Sequence, residues 1–223
     1  MNNSARIRLL VVVLLALLLS GCMLTRQPAP LSIVAPDVKV QPDQDWPSVD
    51  WSIQVQRPIA DQMRDSDRIL VRRTPSRLQV YPGAAWLDSV PEMLQAMMIR
   101  ALSDSERFTG VGRAGGMRTR YNLTVEVRHF EAIDDGGMNL EVELVIQAGL
   151  IHQRSSRVVA TKTFRQRQSA IGKELDPMVT AYEQALSGLM VELVGWVLEE
   201  GVRAQSEWEA IEEDRSGRWR ERR

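Results

Sequence analysis

The hydrophobic spacing of the chain predicts an α+β fold: an antiparallel β-sheet (a meander plus N-terminal strands) with two amphipathic helices packed on one face. Three observations carry that prediction. Three long alternating segments lie between residues 121 and 164, two stretches repeat apolar residues at helical spacing, and several short strand-like runs precede them. Alternation puts every second side chain on one sheet face, whereas recurrence at three and four lines up a helix stripe. A sheet with one apolar face and helices with one apolar stripe cover each other.

Leu31 to Val34 reads as a first short strand ended by Pro36, and the proline- and aspartate-spaced run to Ser48 reads as a loop. Trp51, Ile53 and Val55 alternate with Ser52, Gln54 and Gln56 up to Pro58, the pattern of a half-buried strand. Ile69 to Arg72 and Leu78 to Tyr81 are two more strands, with Thr74-Pro75-Ser76 as a hairpin turn between them. A helix follows. Ser89 and Glu92 have capping-box spacing, and Pro91 sits in the first turn, where its missing N–H does no harm. Leu87, Val90, Leu94, Met97, Met98, Ala101 and Leu102 form its apolar face, opposite Glu92, Gln95, Arg100 and Asp104. Gly110, Gly112 and Gly115 spell G-x-G-x-x-G, but a helix precedes them and a strand follows. A pyrophosphate site needs the reverse order, so this run is predicted to be a flexible connector.

In the meander, Tyr121, Leu123, Val125 and Val127 alternate with polar residues up to the turn Asp134 to Gly137. Leu140 to Ala148 alternate in the same way, His152 to Arg157 turn again, and Val158 to Phe164 return. Asp176-Pro177 then starts the last helix. Its stripe runs through Met178, Tyr182, Ala185, Leu186, Leu189, Met190, Leu193, Val194, Val197 and Leu198, with Gly201 as a natural end. The stripe is wider than one sheet face covers. Met178, Tyr182, Met190 and Val194 are therefore candidate contacts for a partner or an acyl chain, since pliable methionines suit such surfaces. From Glu207 to Arg223 the chain turns acidic and then basic, which reads as a short helical extension passing into a disordered tail.

At the amino end, Arg6 and Arg8 precede an apolar run from Leu9 to Leu19, too short for a resident transmembrane helix of about 20 residues. That layout is a secretory signal peptide. Leu18-Leu-Ser-Gly-Cys22 resembles the lipobox of bacterial lipoproteins, which implies cleavage between Gly21 and Cys22 and acylation of Cys22 with diacylglycerol and a further palmitate-type chain. Two or more chains anchor stably where one binds only reversibly. The expected division is a signal over 1–21, a lipidated tether over 22–30, a domain over 31–201 and a charged tail over 202–223.

Cys22 is the only cysteine, so no internal disulfide forms, and a domain of about 200 residues needs none. A net charge of −1 provides no global field for nucleic acid. No Walker lysine loop is present, and His129 and His152 have no third ligand at metal-binding spacing. Both read as solvent-edge histidines at a strand end and a turn. Glu141 and Glu143 share a strand face and read as ordinary solvation rather than a catalytic pair. No cofactor is implied, and the protein is expected not to be an enzyme.

The order of Asp67-Arg-Ile-Leu-Val-Arg72, Leu78-Gln-Val-Tyr81, Ala85-Trp86-Leu87, a helix ending in Leu102, the meander from Tyr121 and Met178-Val-Thr-Ala-Tyr182 resembles the auxiliary lipoproteins of ABC-type transport systems, the PqiC-like family. The likeness covers Leu31 to Gly201. It implies a non-enzymatic subunit of an intermembrane lipid-transport machine, with an MCE-type substrate-binding protein and an ABC permease and ATPase as partners, and self-association into rings. Met23 rather than aspartate follows the cysteine, which in enterobacterial lipoproteins implies delivery to the periplasmic leaflet of the outer membrane. The alternative is a structural envelope lipoprotein that binds peptidoglycan or an outer-membrane assembly protein through its basic tail.

Overall fold

The computed structural model describes residues 30–220, with side chains to Trp208, and from Ser32 onward these belong to one compact unit. The signal segment, Gly21 and Cys22 lie outside the described residues. Nine strands and two helices are seen among the described residues: β1 (Ser32–Val34), β2 (Ser52–Val55), β3 (Ile59–Ala60), β4 (Arg68–Thr74), β5 (Arg77–Trp86), α1 (Val90–Asp104), β6 (Gly110–Arg113), β7 (Tyr121–Ile133), β8 (Glu141–His152), β9 (Arg157–Ser169) and α2 (Leu175–Arg220).

The α+β class stands, and β7–β8–β9 form the expected antiparallel meander. The sheet as a whole is mixed rather than antiparallel. β7 is its hub: β8 lines one edge, and the other is tiled by β2, β3 and β4 in succession, all parallel to β7. β4 turns antiparallel into β5 through the predicted hairpin, and β1 pairs parallel to β5. Alternation gives a strand's faces but not its neighbour's direction, so these parallel pairings could not be read from local pattern. The glycine run is also corrected, because Gly110 to Arg113 form β6 on the edge of β2 instead of a connector.

The strands fix two ends of the molecule. β2, β3 and β4 climb along β7 towards Ile133, while β5 and β1 run back the other way. The segment after β1 keeps descending beside α2. The Asp37 N–H donates to Glu183 Oε1 at 3.0 Å, the Trp46 indole lies against Gly195, and Trp51 lies against Gly201. The chain therefore enters β1 near the end where α2 begins. The strands of the meander run about 40 Å to the other end, at ~3.3 Å per residue.

α1 starts at Ser89 with Pro91 in its first turn, although the Ser89 side chain makes no capping hydrogen bond. Gln95, expected on the polar face, is buried. Its amide donates to the Val55 carbonyl at 3.0 Å, tying α1 to β2. α2 does not end at Gly201 but runs on to Arg220. A glycine ends a helix by taking a left-handed conformation, and Gly201 is not among the residues with positive φ. It serves a close approach instead: a Cβ there would lie 2.4 Å from Trp51 Cζ2. Its carbonyl accepts from the Tyr121 hydroxyl at 3.0 Å. Trp208, within the stretch read as a helical extension passing into a disordered tail, packs on His152 with ring centroids 4.1 Å apart. Tail residues 202–220 thus continue α2 where a disordered tail was expected.

One core joins the sheet and both helices. At one centre Trp86, Phe130 and Tyr182 pack ring on ring, with Trp86–Tyr182 centroids 4.9 Å apart and nearly perpendicular. Edge-to-face contact of this kind adds about 0.5–1.5 kcal/mol beyond the buried area. Burial pushes the Tyr182 hydroxyl well above its ordinary pKa, and the nearby Glu131 charge adds to the shift.

Candidate docking surface

The four α2 residues proposed as contacts are not surface residues. Met178, Tyr182, Met190 and Val194 are each 0% exposed. The stripe is wide because it is covered on two sides: β8 and β9 lie under one flank, and α1 and the 32–51 segment cover the other. A partner surface has to be sought elsewhere.

The histidines and glutamates are also differently placed. A bulge between Val127 and His129 shifts the register of β7 on β8. Below it Tyr121, Leu123, Val125 and Val127 face the core; above it Phe130 and Ala132 do. This change of parity, from odd to even, hides the second half of the strand from a simple alternation search. It also puts His129 within the strand and Glu131 on the outer face, directly opposite Glu143 on β8.

Two opposed carboxylates repel, and here five cationic or hydrogen-bonding side chains hold them. Arg64 takes Glu131 in a fork at 2.8 and 3.0 Å, Arg72 Nε donates to it at 3.1 Å, and His129 Nδ1 lies 2.9 Å away. Arg167 and Arg165 donate to Glu143 at 2.6 and 3.2 Å. Burial would raise the Glu131 carboxyl, but the hydrogen bonds from Arg64, Arg72, His129 and the Phe130 N–H outweigh it and bring the pKa to about 2. Glu143, read as a solvated face, is thus part of a buried ion network. Both Glu131 oxygens and Glu143 Oε1 are engaged by these donors, so the network is structural: it rivets the loop before β4, β4 itself and the meander together.

A cluster of arginines lies at the far end of the meander. Arg120 precedes β7, and Arg154 and Arg157 flank the β8–β9 turn. With Thr119, His152, Ser155, Gln205 and Trp208 they line a hollow of roughly 770 Å³. None of the three guanidiniums has an acidic partner among the described residues. The positive field registers on His152, which is pushed below its ordinary pKa by burial first and then by Arg120 and Arg154. Guanidiniums without an acidic partner among the described residues, beside a tryptophan ring, form a surface suited to carboxylate or phosphate groups. The sequence shows Arg154 and Arg157 only as turn residues; Arg120 and Trp208 join them through the pairing of Tyr121 with His152 and the continuation of α2.

Comparison with known proteins bears on what such a surface serves. The chain is 36% identical to a crystal structure of protein XCC0632 from Xanthomonas campestris, described as DUF330, with a TM-score of 0.75, covering 78% of this chain and 99% of that one. A crystal structure of an uncharacterized protein shares the fold at 14% identity and a TM-score of 0.59, covering 74% of this chain and 97% of that one. An uncharacterized protein, bll6063, from Bradyrhizobium diazoefficiens is 25% identical over 156 residues, 66% of this chain, which spans about two-fifths (39%) of that relative's length. Residues 31–194 match the family described as the ABC-type transport auxiliary lipoprotein component, and the chain belongs to that family.

Proposed function

We propose that this chain is a lipid-anchored, non-enzymatic auxiliary subunit of an ABC/MCE-type intermembrane lipid transport system, held through Cys22 on the periplasmic leaflet of the outer membrane. The observation that carries this reading is the polarity of the domain. The chain enters β1 near one end, and the arginine hollow opens at the other. A subunit tied to a bilayer at its entry end presents Arg120, Arg154 and Arg157 about one domain length away, towards a partner that bridges the periplasm. An acidic face on an MCE-type substrate-binding protein, itself coupled to the permease and ATPase, fits those cations. Charge of this kind steers encounter and fixes register more than it supplies raw affinity. Self-association belongs to the same proposal, because among the described residues the outer edges of β1 and β9 have no strand partner.

The anchor is tested directly. Cys22→Ala is expected to leave an uncleaved precursor or a soluble periplasmic chain, with fractionation reading out the loss of membrane association. A variant processed and membrane-bound like wild type contradicts the anchor. In the wild type, recovery with inner-membrane markers on a sucrose gradient contradicts the outer-membrane placement alone.

A further inference from the structure

The end opposite the arginine hollow carries two apolar side chains that no packing in the domain explains. Met138, in the β7–β8 loop, is 89% exposed, and Ile171, between β9 and α2, is 88% exposed. Single exposed apolar residues are ordinary. These two are not independent, because their loops are clasped together. The Leu140 N–H donates to the Gly172 carbonyl at 3.1 Å, the Gly172 N–H donates to Asn139 Oδ1 at 2.9 Å, and the Ala170 N–H donates to the Leu140 carbonyl at 2.8 Å. Gly172 permits the clasp. Its φ of +107° is a conformation that side-chain-bearing residues rarely adopt. The backbone thus holds the loops that carry Met138 and Ile171 together at one tip. Of the acids beside it, Asp134 is neutralised, accepting from Lys173 Nζ at 2.6 Å and pairing with Arg73 at 3.7 Å, while the Asp135 and Glu174 carboxylates accept from the backbone N–H groups of Gly137 and Lys173.

The position of the tip selects its occupant. The chain enters β1 near this same end, and only nine residues separate Cys22 from Ser32. An extended tether of that length reaches at most about 35 Å. We infer that Met138 and Ile171 dip into the headgroup–acyl boundary of the bilayer that holds the Cys22 lipid, so that the domain stands on the membrane by a second, non-covalent contact that fixes its orientation. This inference rests on the proposed anchor. Apolar side chains of interfacial elements lie about 5–10 Å into that boundary. An acyl anchor alone leaves the domain free to tumble on its tether; a second contact holds the arginine hollow away from the surface.

The test uses the full, acylated chain in phosphatidylethanolamine–phosphatidylglycerol vesicles. With Cys22 blocked by lipid, Met138→Cys or Ile171→Cys provides the single free thiol for an environment-sensitive fluorophore. Both sites are solvent-exposed, so the fold does not depend on them. Ser156→Cys, in the turn at the opposite end, is the reference. Blue-shifted emission and quenching by nitroxide-bearing lipids are expected at 138 and 171, with a water-like signal at 156. Water-like emission at both tip sites in a chain that co-floats with the vesicles overturns this inference alone. A tip label that is shielded but beyond the reach of nitroxide lipids assigns the tip to a protein neighbour and overturns it equally. A chain that fails to co-float overturns the anchor, and this inference falls with it.

Discussion

Val194→Glu is expected to abolish cooperative folding, and Met190→Glu to do the same. Both side chains are wholly buried in α2 within the shared core. A carboxyl group placed there without a partner loses its hydration, and even in its neutral form it leaves a hydroxyl unsatisfied at a cost of several kcal/mol. The domain's total stability is of the order of 5–15 kcal/mol, and each substitution also removes a buried side chain worth roughly 1.5–3 kcal/mol. Circular dichroism on heating should show no sharp transition. A variant that melts like wild type would mean that this flank of α2 is not packed as described. The consequence for function is direct: loss of transport in such a variant reports unfolding rather than loss of a docking face.

Removing the Glu131 carboxylate is expected to have the next largest effect. Glu131→Ala leaves Arg64, which is largely buried, facing an empty partner position. Breaking one side of a buried pair costs about 3–5 kcal/mol, and chemical denaturation at neutral pH should show a fall of that size. The same group makes stability pH-dependent, with a definite sign. The Glu131 pKa is brought from 4.5 down to about 2 in the folded chain. Its contribution, about 3 kcal/mol for a shift of that size, is complete above 4.5 and disappears as pH falls towards 2. The wild type should lose that increment across the window, and Glu131→Ala should not. Equal pH slopes for the two chains would contradict the assignment.

How far the fold can be read from sequence depends on whether local spacing or tertiary contact sets each feature. The meander, the three- and four-residue recurrence of α1 and α2, and the β4–β5 hairpin are local, and their residues announce them. The second half of β7 is not, because the bulge after Val127 moves the core face from odd to even positions. Glu131 and Glu143 consequently look like solvated residues until β4 and the loop carrying Arg64 are laid against β7. Gly201 has the residue type of a helix end, but its role is set by Trp51, 150 positions earlier. The buried state of Met178, Tyr182, Met190 and Val194 has the same origin: the 32–51 segment that helps cover α2 carries no strong periodicity of its own. The arginine hollow draws on three separate elements, so no single stretch of sequence displays it.

The central claim is that a lipid-anchored domain engages an ABC transport system through its membrane-distal arginines. The most direct measurement is affinity isolation of the full chain from gently solubilised membranes, comparing wild type with the Arg154→Glu, Arg157→Glu double variant. Both residues are exposed, so melting and membrane association should be unchanged in the variant. The account predicts that the wild type brings down an MCE-type protein with its permease and ATPase, and that the variant loses them while remaining anchored. Equal recovery of those partners by the two chains would contradict the arginine hollow as the docking surface, and their absence from the wild-type isolate would contradict the transport role itself.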